Sequence, residues 1–536
     1  MTASARPPAV QPGGEPFAPP LLVACGGPGE VADASVIGSK AHNLARMARI
    51  GLPVPPAFVI GTAWCARPES LTRADWQPAL EALERCTGLK LGDARRPLLL
   101  SVRSGAPVSM PGMMDTLLDI GLNAATVHGI VRLTGNPRLA WDAYRRLVAG
   151  FGEVVLGLPA SAFEADLAAV AEGRDERELD FAALRRLTET HLETVQRLAG
   201  RPFPVDPTEQ LDAAIAAVFA SWSSEKAVTY RRLKNVPDSI GTAVTVQRMV
   251  FGNAGGDSGA GVGFTRHPST GEPEPWIDFL FNAQGEDVVS GRRTALGHDE
   301  LAAVAPHVWH ELLDAVARLE TEFGDMQDFE FTVEAGRLFL LQTRSGKRTP
   351  QAAARIALDL FDAGVIDRAE TLQRTAGLDA ERLAETALAA DDDGRPSPIG
   401  QAQSACSGIA VGELALDAER ARARVDAGAS VLLVRQDAET ADIGALELAA
   451  GLLTARGART SHAAVVARQL GKVCLVGCTS LAIDESARRV QIGERGFAEG
   501  EVLTLDGHRG EIYAGALRVE RRVPAGLLER LAALRG

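Results

Sequence analysis

Hydrophobic and polar positions along this chain recur with different periods in different stretches. Short apolar runs bounded by Gly and Pro, PPAFVIG and PLLLSVRSG, predict strands between residues 21 and 160. From about 137 to 235 the spacing changes to three and four, as in LAWDAYRRLVAGFGEVV and EQLDAAIAAVFASW, which predicts helices. Strand signals return at GTAVTVQRMVF, GVGFTRHP and PWIDFLFN. In MQDFEFTVEAGRLFLLQTR, Phe329, Phe331 and Val333 alternate with Asp328, Glu330 and Thr332, so a period of two puts both carboxylates on one face. A turn at Glu334–Arg337, with Gly336 at positive φ, folds this stretch into a hairpin, and Gln342 and Arg344 share a face of the returning strand. Residues 350–390 read as helical and end at DDDGRPSP (391–398), a charged break with the character of a linker. An α/β unit follows over 399–517, with strands near SVLLVR, AGLLTAR and KVCLVG and a closing hairpin in EGEVLTLDGHRGEIYAG. No internal repeat or heptad run is visible.

Length and charge narrow the classes. At about 100–200 residues per domain, 536 residues imply two to four domains. A net charge of −13 argues against a general nucleic-acid or anionic-membrane binder, yet leaves room for a small basic pocket. The six cysteines form no C-x-x-C pair and lack histidines at zinc spacing, which reads as reduced thiols in a cytoplasmic protein. Residues 1–20 resemble neither a signal peptide nor a membrane span and are expected to be a flexible tail.

The most informative string is GLLTARGARTSHAAVVARQLGK. A strand enters a Gly-containing turn, and a helix begins near Thr460–His462, capped by Thr460 or Ser461. His462 then stands at a helix N-terminus, where free N–H groups and the dipole favour an anion. A neutral imidazole there is a competent nucleophile, with Arg456 and Arg459 close in sequence to neutralise phosphate. A histidine that merely hydrogen-bonds at a helix start has the same local pattern.

No G-x-x-x-x-G-K-[ST] loop occurs. Arg103 and the glycines Gly105 and Gly112 in VRSGAPVSMPGMMDT instead offer a cation and backbone N–H groups to phosphate. Asp328 and Glu330 suit a hard cation such as Mg²⁺, although alternating acids also line ordinary solvated sheet faces. Glu286 and Asp287 in NAQGEDVV suit the same chemistry or a helix cap.

TARGARTSHAAVVARQLGKVCLVGC and VSMPGMMDT closely resemble the pyruvate phosphate dikinase family. The likeness runs through GNPRLAWDAYRR, GTAVTVQRMVFGN, DSGAGVGFTRHP and LQTRSGKRT and covers nearly all of residues 36–515. It implies an α/β multidomain chain: an ATP-grasp nucleotide-binding domain at 21–349, whose two lobes close on ATP, with a helical insert near 137–235. A helical linker at 350–398, a swivelling phosphohistidine domain at 399–517 and a C-terminal tail at 518–536 follow. The resemblance makes His462 the phosphoryl carrier and Thr460 a regulatory candidate. It assigns Lys40, Arg103, Glu286, Asp287, Gln342 and Arg344 to nucleotide and phosphate, and Asp328 and Glu330 to Mg²⁺. Ser39 and Ala41 stand where the family more often has glycine, and ACSGIAVG lacks the usual proline.

The family's third, barrel-shaped domain for pyruvate and phosphoenolpyruvate has no counterpart before Gly536. The leading expectation is therefore a phosphotransferase that uses ATP and phosphate to load His462 and hands the group to pyruvate through a separate barrel protein. A different acceptor, or a non-catalytic ATP-binding regulatory paralogue, are the alternatives. The sequence leaves open whether the chain forms a homodimer.

Overall fold

The apolar runs become strands and the three-four patterns become helices, gathered into two compact units. The structure is a computed structural model that describes residues 18–25, 31–108, 110, 113–289, 298–389, 396–437, 442–457, 459 and 462–536. One unit holds residues up to Gly255 together with Phe339–Thr343; the other holds Gly256–Leu338 and Arg344–Gly536.

In the first unit, strands β1 (Leu21–Val23), β2 (Ala57–Ile60), β3 (Leu100–Gly105), β4 (Thr116–Ile120) and β5 (Ala243–Arg248) form an antiparallel sheet ordered β1-β2-β5-β3-β4. Every residue of β3 is buried except the half-buried Arg103. The expected helical stretch is a layer of helices between Thr126 and Lys234. Its longest early member, Pro137–Val154, starts at Asn136, whose side chain accepts from Leu139 N, and presents Leu139, Ala143, Leu147 and Phe151 to the core.

The helix Ala34–Arg49 is interrupted at Gly38, with φ 77° and ψ 153°. A Cβ at Gly38 would lie 1.8 Å from the Gly105 carbonyl oxygen, so only glycine lets this chain lie against the end of β3. Ser39 then fastens the contact, since its N–H (3.0 Å) and its hydroxyl (2.9 Å) both donate to the Ala106 carbonyl. The departure at Ser39 thus adds a clamp.

In the second unit, β6 (Gly259–Phe264), β7 (Trp276–Phe281), β8 (Gln327–Glu334) and β9 (Arg337–Ser345) are ordered β7-β6-β8-β9. Ala335 (φ 49°) and Gly336 (φ 71°) make the two-residue turn of the expected hairpin. On one face of this sheet Phe279 and Phe331 lie stacked, with centroids 5.7 Å apart, across Gly261, where a Cβ would come within 2.3 Å of the Phe331 ring. The other face mixes apolar residues, Ala260, Val262, Phe264 and Leu280, with polar ones.

Beyond β9, helices Pro350–Asp362, Arg368–Arg374 and Ala380–Leu383 fit the helical expectation. It fails at β10 (Glu385–Leu388), which pairs antiparallel with a strand at Val519–Arg522. The expected tail is folded as well: helix Ala525–Arg535 buries Leu531 and Leu534 against Ala354, Leu358 and Leu383, and Arg530 pairs with Asp359 at 2.8 Å. Residues 390–395 of the expected linker lie outside the described residues.

The C-terminal α/β part is an eight-stranded sheet. Its central strands β13 (Ile409–Ala415), β14 (Val431–Arg435), β15 (Gly451–Thr454) and β16 (Val473–Val476) are parallel neighbours joined by helical crossovers. β11 (Gly400–Gln401) and β12 (Gln403–Cys406) add antiparallel edges. The helix His462–Gln469 is the crossover from β15 to β16, which puts its N-terminus beyond the carboxyl end of β15, where open α/β sheets carry ligands. No helix among the described residues is long and apolar enough to cross a membrane.

Gly38→Ala should lower the unfolding midpoint in calorimetry by about 5 °C or more, since it forces a left-handed alanine into a carbonyl. Gly150→Ala, in a helix with nothing within 4 Å, should leave the midpoint unchanged or raise it.

Candidate functional site

In the first unit the Gly38 approach sets Lys40 beside the end of β3: a Cβ on Gly105 would lie 3.5 Å from the Lys40 Cβ. Arg103, two residues earlier, donates from its guanidinium to the Leu341 carbonyl at 3.4 Å. The same short segment is held by Asn43, which donates to the Thr343 carbonyl at 2.7 Å, and by Leu340 N, which donates to Pro53 O at 2.7 Å. Gln342 is half-buried between these anchors. Local folding therefore gathers Lys40, Arg103 and Gln342. Gly112 lies outside the described residues.

In the second unit the register across β7, β6 and β8 aligns Trp276 with Phe264 and Asp328, and Asp278 with Val262 and Glu330. Residues opposite one another share a face, so Asp278, Asp328 and Glu330 stand on one side of the sheet, among Trp276, Phe264 and Val262. Arg344 reaches Asp328, Nε to Oδ2, at 2.8 Å. Burial pushes the Asp328 carboxyl above the usual carboxylate range; the Arg344 guanidinium opposes this, and the neighbouring Glu330 charge adds to it. For Arg344 burial works against the charged form, but Asp328 and Glu330 outweigh it and raise the guanidinium pKa.

Among the described residues no cluster of three or more His, Cys, Asp or Glu side chains could hold a metal ion by itself. Asp328 and Glu330 share one face and are carboxylates, the donor type by which Mg²⁺ is commonly held alongside substrate phosphates and water. Asp287 serves its own loop, because its carboxylate accepts from Gln284 N at 2.9 Å and its N–H donates to Gln284 O at 3.0 Å. It caps the short helix Gly285–Val289, which also contains Glu286.

His462 is the first residue of its helix. Thr460 and Ser461 lie outside the described residues, so the expected cap and regulatory threonine fall there too. Arg456 is exposed, whereas Arg459 is committed to the sheet: Nη2 donates to Asp278 Oδ1 at 2.7 Å and to the Ile277 carbonyl at 3.2 Å. Its guanidinium carbon lies 4.6 Å from the Trp276 ring. Arg468, later in the same helix, is 2% exposed, donates to the Ala405 carbonyl at 2.8 Å and lies 5.1 Å from both the Phe264 and Trp276 rings. Sequence reading missed Asp278 and Arg468. The signal for Asp278 was a lone acid inside the apolar run WIDFLF; Arg468 read as an ordinary cation near a helix C-terminus. The element that starts at His462 is thereby seated on the face that carries Asp328, Glu330 and Arg344.

Comparison with known proteins bears on this arrangement. The family model for the AMP/ATP-binding domain of pyruvate phosphate dikinase matches residues 69–309 and 296–364, and that for the mobile domain of PEP-utilising enzymes matches 428–510. The chain is 41% identical over 508 residues to pyruvate, phosphate dikinase of Clostridium symbiosum, covering 93% of this chain and 58% of that protein. It is 41% identical over 512 residues to that of Rhizobium meliloti (91% and 57%), and 42% identical over 490 residues to pyruvate, phosphate dikinase 2 of Zea mays (90% and 55%). The chain therefore spans a little over half the length of these relatives. With more than half of its residues matched by the nucleotide-binding model, the chain belongs to the pyruvate phosphate dikinase family.

Proposed function

We propose that this chain is an ATP-dependent phosphotransferase that loads a phosphoryl group onto its own His462 for delivery to pyruvate. Residues 21–349 act as the ATP-grasp nucleotide-binding domain and 399–517 as the swivelling phosphohistidine domain. The observation that carries this reading is the seating of the His462 helix on the sheet face bearing Asp328, Glu330 and Arg344. A structural histidine would not need its helix held against buried carboxylates and cations.

Phosphoryl transfer depends on positioning and on neutralising phosphate oxygens. Lys40 and Arg103 contact the phosphate chain, Gln342 orients it, and Arg344 meets the charge that develops on the transferred group. Glu330 and Asp328 would hold Mg²⁺, which supplies charge neutralisation at the phosphate oxygens. A neutral His462 imidazole attacks the β-phosphorus; the bond to the α-phosphate oxygen breaks and AMP leaves. Inorganic phosphate then accepts the terminal phosphoryl group, pyrophosphate departs, and phospho-His462 remains. Glu286 and Asp287 belong to the same nucleotide and phosphate set, and Asp287 also shapes the backbone of its loop.

ATP labelled at the β-phosphate, with Mg²⁺, should leave acid-labile label on the wild-type chain and none on His462→Ala. Phosphate should convert the doubly phosphorylated form to the singly phosphorylated one. ATP binding without label would contradict the proposal. Glu330→Gln should slow loading about 10²-fold with protein stability unchanged, as measured by quench-flow and thermal melting.

The raised Asp328 pKa sets a pH dependence. Its carboxylate must be ionised to hold a cation, and the raised pKa means protonation begins above the ordinary carboxylate range near about 4. Mg²⁺-dependent nucleotide affinity should therefore fall on acidification sooner than for an exposed aspartate. Titration calorimetry across pH should show that Asp328→Asn flattens the profile.

A further inference from the structure

Two of the six cysteines meet where β1 leaves the sheet of the first unit, and the proposed chemistry uses neither. β1 is an edge strand, held in the sheet among the described residues by β2 alone, with Val23 opposite Ala57 as its last pair. Ala24 then turns the chain through the left-handed region (φ 58°), which is uncommon for a residue other than glycine. After this turn the Ala24 carbonyl accepts from the Cys86 thiol at 3.7 Å, in the last turn of the helix Arg73–Thr87. That carbonyl belongs to the peptide leading into Cys25, and the Cys25 side chain is itself hydrogen-bonded to Cys86. Both cysteines are free thiols, Cys86 exposed and Cys25 half-buried.

Thiol–disulfide exchange needs one sulfur that an oxidant can reach and a second sulfur near enough to resolve the adduct. Cys86 meets the first requirement by its exposure, and Cys25 meets the second by its contact with Cys86. Cys25 packs against the core of its unit, and burial, together with the neighbouring Cys86, pushes its thiol pKa up. The exposed thiol therefore reacts first and the packed one second. A second pair shows what accessibility decides. Cys406 and Cys474 stand opposite one another on β12 and β16, but both are buried, and burial pushes both thiols up. With no sulfur open to solvent, that pair stays reduced in the folded chain.

We infer that Cys25 and Cys86 are a redox modification site, forming a reversible disulfide with each other by exchange with small-molecule disulfides such as oxidised glutathione. The Cys86 thiolate attacks one sulfur of the oxidant, whose S–S bond breaks and releases the first thiolate. Cys25 gives its proton to solvent and attacks the Cys86 sulfur of the mixed disulfide, and the second thiolate leaves. The protein gives up two electrons and two protons, and the oxidant ends as two thiols. An excess of reduced thiol reverses both steps. The bond joins the exit of an edge strand to a helix end and closes a loop, residues 25–86, that contains Gly38, Ser39 and Lys40. In a reducing compartment the pair rests as thiols and closes when the disulfide pool rises. The site is independent of the phosphoryl loading of His462.

The test equilibrates the full chain with mixtures of reduced and oxidised glutathione, quenches with acid, unfolds it, alkylates the remaining thiols and maps the peptides by mass spectrometry. A peptide pair linking Cys25 to Cys86 should grow with the share of oxidised glutathione and disappear on adding dithiothreitol. Cys406 and Cys474 should be alkylated at every ratio. Cys25→Ser should trap a glutathione adduct on Cys86, whereas Cys86→Ser should leave Cys25 mostly unmodified. Hydrogen exchange of the peptide covering 18–25 should slow about tenfold in the oxidised wild type, with the helix Phe181–Ala199 as internal standard, because a stapled edge strand frays less. Neither single variant should show that slowing. A wild-type chain that carries glutathione on Cys86 but never the Cys25–Cys86 link would overturn the site. So would a link that forms only in denaturant. A link that leaves exchange at 18–25 unchanged would overturn the anchoring of β1.

Discussion

A carboxylate placed in the dry centre of a strand constrains what can pack on it, and Asp278 imposes that constraint here. WIDFLF would otherwise be an ordinary buried strand. With an acid at its third position, whatever covers the sheet must bring a cation, and the covering element brings Arg459. Breaking such a buried pair from one side typically costs about 3–5 kcal/mol, far more than the roughly 0–1 kcal/mol of a surface ion pair. The seat of the His462 helix is therefore decided by a charge, with Trp276 and Phe264 shaping the surface around it.

Close backbone approach is the second recurring device. Gly38 lets the segment before Lys40 lie against the carbonyl at the end of β3, and Ser39 locks it there with two hydrogen bonds to one oxygen. Gly261 lets aromatic rings lie flat on one side of the second sheet, while Asp278, Asp328 and Glu330 stand on the other among Phe264, Trp276 and Val262. In both places a missing side chain makes room for chemistry on a neighbouring one. The pull of burial against charge at Asp328, opposed by Arg344, is what such a face looks like electrostatically.

Much of this was legible in the sequence because it is local. The hairpin around Gly336 announces itself by alternation and a turn glycine, and the crossover helix at His462 by a strand, a glycine turn and an apolar stripe. The strand at 385–388 was not legible, because ETAL lacks β-branched alternation and its partner at 519–522 lies far away in the chain. For the same reason a helix-like C-terminal stretch gave no sign that Leu531 and Leu534 pack on the helix Pro350–Asp362. Arg459 read as a phosphate ligand because sequence distance favours His462, whereas the strand that claims it is remote in sequence. The grouping of Phe339–Thr343 with the first unit likewise follows from hydrogen bonds to Asn43, Pro53 and Arg103 that no local pattern encodes.

The central claim is that His462 accepts phosphoryl groups directly from ATP, and a partial exchange isolates that step. If the imidazole takes the pyrophosphoryl group and releases AMP, labelled AMP mixed with ATP and Mg²⁺ must return its label to ATP. No phosphate and no pyruvate are needed. The account predicts label in ATP for the wild-type chain and none for His462→Ala. Absence of exchange in a wild-type chain that binds both nucleotides would contradict it.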